Sequence, residues 1–184
     1  MLALLLTILP AGAHAQTVGT GFTGFATLFI GVAHGGDVRG TGSTPGVSVA
    51  VIETSGFGAE LDLSHVRAFD SDRFAESGIT TVMFNAVGMW PRPDALLRPY
   101  ALGGAGLLRV RACVPDCQLV ASRTDWAMDA GGGVYAVINE FVGVRGDIRY
   151  FRFLQRHRDL PLTDNGFFDF WRTSVGVVVS WPVR

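Results

Sequence analysis

The chain has 184 residues, 17% of them charged, a formal net charge of −1 and no lysine, so that all 15 basic residues are arginine. That length suits one domain of ordinary size. The neutral balance, with no basic run and no aromatic–basic module, argues against a nucleic-acid partner, and no segment beyond residue 16 has the 18 uninterrupted apolar residues of a transmembrane helix.

The first feature along the chain is "MLALLLTILPAGAHAQ", an apolar run ending in small residues. Ala13-His14-Ala15 fits the cleavage pattern of an export signal. Residues 1–15 are therefore expected to be a cleavable signal peptide and residues 16–184 the mature domain. The run is too short to cross a membrane as a helix.

Beyond it, apolar residues recur with a period of two, which is the strand period. Eight strands are expected, over residues 24–33, 47–53, 57–65, 79–90, 99–111, 125–138, 141–153 and 170–183. The first connection, "HGGDVRGTGSTPG", reads as a long polar loop, and the second, "TSG", as a tight turn. "VRAFDSDRFAESG" is long and "PRPDALLR" middling. A long loop carrying both cysteines follows, then "NE" at hairpin length, then the long "LQRHRDLPLTDNGFFD". This tendency to alternate long and short, with an even strand count, is the pattern of transmembrane β-barrels, whose periplasmic turns are short and outer loops longer. Cys113 and Cys117 sit in "CVPDC". In an oxidising compartment a disulfide is the simplest expectation, with Pro115-Asp116 as its turn. A metal site would need further ligands close by, and the sequence offers none.

The faces of the strands decide what is inside. In "VGVRGDIRYFRF", residues 142–153, Arg145, Asp147 and Arg149 alternate with Val144, Gly146 and Ile148, so one face is charged and the other apolar. The eighth strand sets Trp171, Thr173, Val175, Val177, Val179 and Trp181 against Arg172, Ser174, Gly176, Val178 and Ser180. Ten residues of tilted strand separate the two tryptophans by about 25 Å along a barrel axis, the height of a lipid-facing band. With the N-terminus periplasmic, Phe57, Trp90, Tyr100 and Trp181 are expected in an inner aromatic girdle, and Trp126, Tyr150 and Trp171 in an outer one. The charged face then lines the lumen. Glu60, Asp62, Asp129 and Asp147 are expected there with Arg109, Arg145, Arg149 and Arg172, as a salt-bridged plug. Eight strands enclose an interior just wide enough for side chains, and inward glycines at 103, 131, 133, 143 and 176 leave room for long ones. The expected fold is all-β: an eight-stranded antiparallel up-and-down transmembrane barrel.

The segments "GFGAELDLSH", "RPYALGGAGLLR", "DAGGGVYAVINEFVGVRGDIRYFR" and "DFWRTSVGVVVSW" resemble the outer-membrane β-barrel domain family of small OmpA/OmpX-like proteins. "VGVRGDIRYFR" is the most specific of them. The resemblance implies an eight-stranded barrel in a bacterial outer membrane, and no single activity. Two departures stand out. The chain ends in "SWPVR" and not in an aromatic residue, with Trp181 as the substitute, and no peptidoglycan-binding domain is expected after the last strand.

No catalytic, cofactor or metal residues are assigned. His34, His65 and His157 fall in or beside outer loops, and Ser64-His65 and Ser122 are the faint nucleophile candidates. The expected protein is a non-enzymatic monomer in the outer membrane, structural or surface-interacting through its loops. Its expected partners are outer-membrane lipid, the barrel assembly machinery and an unidentified surface ligand. The alternatives are a membrane-embedded lipid-modifying enzyme and an exported lipocalin-like barrel with its faces reversed.

Overall fold

The computed structural model describes residues 21–67, 76–90, 95–113, 119–155 and 167–183. Within them run β1 (Phe22–Gly35), β2 (Val38–Glu53), β3 (Phe57–Arg67), β4 (Glu76–Met89), β5 (Leu97–Cys113), β6 (Leu119–Val137), β7 (Val142–Phe153) and β8 (Asp169–Val183). Each strand pairs antiparallel with its sequence neighbour, and β8 closes on β1. The eight-stranded up-and-down barrel is thus the observed fold. The signal-peptide segment and Cys117 lie outside the described residues.

The ladder register fixes the tilt. Stepping across the pairs from His34 through Trp171, Tyr150, Ala130, Gly103, Ala86, Ala59 and Val51 returns to β1 at Gly24. The circuit is displaced by ten residues, from 34 to 24. A ten-residue shear over eight strands corresponds to a tilt of about 40°, so one residue advances about 2.5 Å along the axis. On this scale Trp126, Tyr150 and Trp171 lie near one level. Phe57, Trp90 and Trp181 lie about 25 Å below it.

Several strands reach higher than the sequence pattern indicates. The expected loop over residues 34–46 is largely strand, and the β1–β2 hairpin closes at its tip through Gly35 and Gly36, with φ of 68° and 60°. Only glycine adopts such values without strain, so the turn is tight. Its Asp37 amide donates to the Asp169 carbonyl at 2.9 Å, tying the tip to β8. At the opposite end the turns are short as expected. Gly56, with φ of 92°, closes β2–β3. The Asn139 side chain accepts from the amides of Phe141 (2.9 Å) and Val142 (2.8 Å) to close β6–β7.

The side-chain pattern changes at the outer girdle. Below it, Leu28, Val49, Leu61, Phe84, Val134, Ile148 and Val177 face outward while Glu60, Asp62, Asn85, Asp129 and Arg149 are buried inside. Above it the polarity reverts to that of a soluble protein. Arg67, Arg109, Arg111 and Thr124 point outward and are exposed, and Val66, Ile79, Leu108 and Val110 fill the interior.

This reversal corrects three assignments in β5. Its even-numbered residues face inward, so Tyr100 lies in the lumen and Arg109 on the outside, the opposite of the expectation. Gly103 likewise faces out, and Gly104 and Gly106 face in. The membrane stretch "ALGGAGL" is small or apolar on both faces, so the phase signal comes only from the arginines beyond it, Arg109 and Arg111. Arg109 lies about 5 Å above the girdle, where the inside-charged rule no longer holds. A one-residue phase error then inverts the strand.

Candidate functional site

The charged residues of β3, β6, β7 and β8 meet in one layer across the lumen. Arg149, 1% exposed, is its hub. Its Nη1 lies 2.8 Å from Glu60 Oε1, 3.3 Å from Asp62 Oδ2 and 3.8 Å from Asp129 Oδ2, and its Nη2 donates to Asp147 Oδ2 at 3.1 Å. Arg172 forks onto Asp62, with Nη1 and Nη2 each 2.9 Å from one carboxylate oxygen, and Nη1 also donates to Ser64 Oγ at 2.8 Å. Its guanidinium lies over the Phe29 and Phe151 rings, 4.6 and 5.1 Å from their centroids. Arg145 pairs with Glu60 and with Asp147 at 3.1 Å. Seven of the eight expected lumen charges are therefore gathered, and Arg109 is not among them.

Neutral donors that the charge pattern did not reveal complete the layer. The Tyr100 hydroxyl donates to Asp147 Oδ2 at 2.9 Å and accepts from Arg145 Nε at 2.6 Å. Ser174 Oγ donates to Asp147 Oδ1 at 2.8 Å. With its amide nitrogen turned to Asp129, Asn85 donates to Asp129 Oδ1 at 2.6 Å and accepts from Arg149 at 3.3 Å. That orientation avoids setting an amide oxygen against carboxylates. The register could have found these residues, since Tyr100 pairs with Gly133, which is itself opposite Asp147. Inward glycines make the space: a Cβ at Gly133 would meet the Tyr100 hydroxyl, and one at Gly131 the Arg149 stem.

Apolar layers seal both sides. Toward the outer mouth, Phe151 and Phe170 stack at 4.9 Å with an interplanar angle of 7°, and Phe168 packs on Phe170 at 6.1 Å. Toward the periplasmic end lie Phe25, Ile52, Leu102, Tyr135 and Val178. The layer can therefore brace the wall, and it occupies the cross-section through which a solute would pass.

Two substitutions separate its parts. Four carboxylates meet three guanidiniums here, and Asp129 has its nearest guanidinium nitrogen at 3.8 Å. Asp129→Asn should leave the urea midpoint in lipid vesicles unchanged or raised, whereas Asp62→Asn, which breaks the fork to Arg172, should lower stability by about 3–5 kcal/mol. Equal losses would show that the excess negative charge has no cost. Tyr100→Phe removes two hydrogen bonds to charged groups and should cost roughly 1.5–3 kcal/mol in the same unfolding measurement. A loss under about 0.5 kcal/mol would mean that this hydroxyl is not a member of the network.

The remaining candidates are separated. Trp90, Trp126, Trp171 and Trp181 are exposed on the outer face, as is Phe57. Tyr150 packs on Trp171 with ring centroids 5.1 Å apart. Ser64 points inward to Arg172 and Thr81, while the next residue, His65, faces outward and bonds Thr80 at 3.0 Å. Adjacent strand residues face opposite sides, so this pair does not form a nucleophile with its base. His34 bonds Thr173 at 3.1 Å, and His157 and the Cys113–Cys117 pairing fall outside the described residues.

The family model for the outer membrane protein beta-barrel domain matches residues 1–181. No curated protein matches the chain. Among solved structures the chain is similar to Neisserial surface protein A, at 15% identity and a TM-score of 0.66 over 86% of this chain and 96% of that one. It is also similar to the N-terminal β-barrel domain of Pseudomonas aeruginosa OprF (15% identity, TM-score 0.60, 86% and 97% covered). A third is Ail, the attachment invasion locus protein of Yersinia pestis (12% identity, TM-score 0.58, 88% and 99% covered). At such identities the likeness is one of fold. Eight closed strands, an apolar outer band and a match over nearly its whole length agree: the chain belongs to the outer membrane protein beta-barrel domain family.

Proposed function

We propose that this protein is a non-enzymatic scaffold of the bacterial outer membrane that presents its outer hairpins to the surroundings. The observation that carries the reading is the union of a filled lumen with strands that continue past the outer girdle. β5 and β6, 17 and 19 residues long, are the longest of the eight and pair out to Cys113 and Leu119. Such hairpins offer polar surface on a rigid base, which is where binding residues tend to sit. A neighbour of the same fold is named for attachment and invasion, and that property is its own.

The lipid-modifying alternative makes a different prediction. Mass spectrometry of lipid A from cells with and without the protein should give the same acyl-chain and phosphate profile. A changed profile would replace the scaffold by an enzyme. Fractionation tests the location: extraction only by detergent from the outer membrane fits the proposal, and release with the periplasm does not. The faces speak against the lipocalin-like reading, because the apolar face of the band is outside and the charged face inside.

A further inference from the structure

The outward face of β3, β4 and β5 carries an arrangement that the lumen does not use. Three rows cross these strands in register. Leu63, Val82 and Leu107 form the lowest row, and the ladder continues from Leu107 to Trp126 of the outer girdle. Two residues further out come His65, Thr80 and Arg109, and two beyond those Arg67, Gly78 and Arg111. Because the ladder is tilted, these rows climb from the level of the girdle at His65 to about 5 Å above it at Arg109, at the depth of lipid head groups. Their three arginines are exposed, and no carboxylate of the described residues lies within ion-pair distance of them.

The spacing suits one anion. Arg67 and Arg111 are two strands apart, about 9.6 Å, and the residue between them is Gly78, whose missing side chain leaves room for the His65 ring as the floor of the gap. The His65 ring leans into that gap: a Cβ at position 78 would lie 3.2 Å from its Cε1. Arginines placed on either side of such a gap can close on phosphate oxygens, and their planar forks match that geometry better than lysine would.

A groove leads down from the same spot. Pairing of β2 with β3 lapses between Ser43–Arg67 and Gly46–Ser64, at Thr44 and Pro45, because proline has no N–H to donate. Beside the lapse is a surface groove of about 410 Å³. Leu28, Val47 and Leu63 line it within the lipid band, and His65 and Thr80 stand at its upper end. An apolar channel facing lipid, ending under a cluster of exposed guanidiniums with no carboxylate partner among the described residues, matches an amphiphile with an acyl chain and an anionic head.

We infer that the outer rim of β3–β5 binds one phosphorylated, acylated lipid of the outer leaflet, with its phosphate between Arg67, Arg109 and Arg111 and one acyl chain in the β2–β3 groove. This rests on the membrane placement proposed above, with the arginine rows on the outer side. The mature barrel in detergent micelles is titrated with bisphosphorylated lipid A, with dephosphorylated lipid A and with inorganic phosphate, reading the fluorescence of Trp126 against a Trp126→Phe control. The bisphosphorylated lipid should bind saturably and at least 10-fold more tightly than its dephosphorylated form, and inorganic phosphate at the same concentration should not compete. R67Q/R109Q/R111Q should weaken binding at least 10-fold and Val47→Trp, which fills the groove, several-fold. Heat-modifiable migration checks that each variant is folded, and R109Q alone replaces the triple variant if that variant is not. Equal affinity for the two lipids, equal affinity of wild type and arginine variant, or displacement by inorganic phosphate would each overturn the site. Failure of the wild-type barrel to insert into phosphatidylcholine vesicles would instead overturn the membrane reading, so the two failures are distinguishable.

Discussion

Arg149→Met should lower the stability of the folded barrel by about 3–5 kcal/mol, the usual cost of removing one partner from a buried ion pair. The side chain stays long and fits the same space beside Gly131, so the loss is electrostatic and not one of packing. Glu60 and Asp147 would keep Arg145, and Asp62 would keep Arg172, but Asp129 would lose its nearest cation and the layer would hold four carboxylates against two guanidiniums. The check is urea unfolding of the refolded protein in vesicles, followed by loss of heat-modifiable migration. By contrast, the Arg123–Asp125 pair at 2.7 Å is half exposed on its arginine side, and Arg123→Met should change stability by no more than about 1 kcal/mol. If the two substitutions cost the same, the lumen is wet enough to screen its charges, and the view of it as a sealed brace is wrong.

A second large effect is expected on the opposite face. Val177 is 56% exposed, near the midpoint between Trp171 and Trp181 on one face of β8. Val177→Arg should cost about 2–4 kcal/mol in a bilayer, because a lipid-facing charge at the midplane is least able to reach water. Val178 is the next residue, 1% exposed, and faces the lumen. The same test at Thr173, near the outer girdle, should cost no more than about 1 kcal/mol. A soluble barrel with a wet exterior would tolerate arginine equally at both positions, so the depth dependence is the discriminating quantity. It is read as the difference in urea midpoints between Val177→Arg and Thr173→Arg.

Most of the barrel is visible in the sequence because two independent signals coincide on the same strands. In β3, β7 and β8 the charges fall on one face and the aliphatic residues on the other, so the phase is over-determined, and Glu60, Asp62, Arg145, Asp147, Arg149 and Arg172 all lie on the inward face. β5 lacks that contrast at membrane depth, and its phase could be taken only from arginines outside the band. Tyr100 fits the girdle in the local sequence for a related reason. An aromatic residue near a strand end suits either an interface or a core, and the local pattern cannot separate them. The outer hairpins are under-read because glycine- and serine-rich segments such as "RGTGSTPG" have weak strand propensity; here the partner strand supplies the ladder that the local sequence does not favour. The rows of the outer rim are a matter of register across three strands, which no single strand displays.

The reversal of polarity at the outer girdle means that one continuous set of strands lives in two solvents. Up to Trp126 and Trp171 the ladder is held by a medium that rewards an apolar exterior, and above them by water, which rewards an apolar interior of stacked phenylalanines. The outer part is in effect a small water-soluble barrel fused end to end with a lipid-soluble one. Agents that act through the bilayer, such as a change in its thickness, should therefore leave amide exchange in the upper β5–β6 ladder untouched while altering that of the strands below. Evolution can then reshape the upper part beyond the arginine rows of β3–β5 under the ordinary rules of soluble proteins, leaving the lipid-facing band below unchanged.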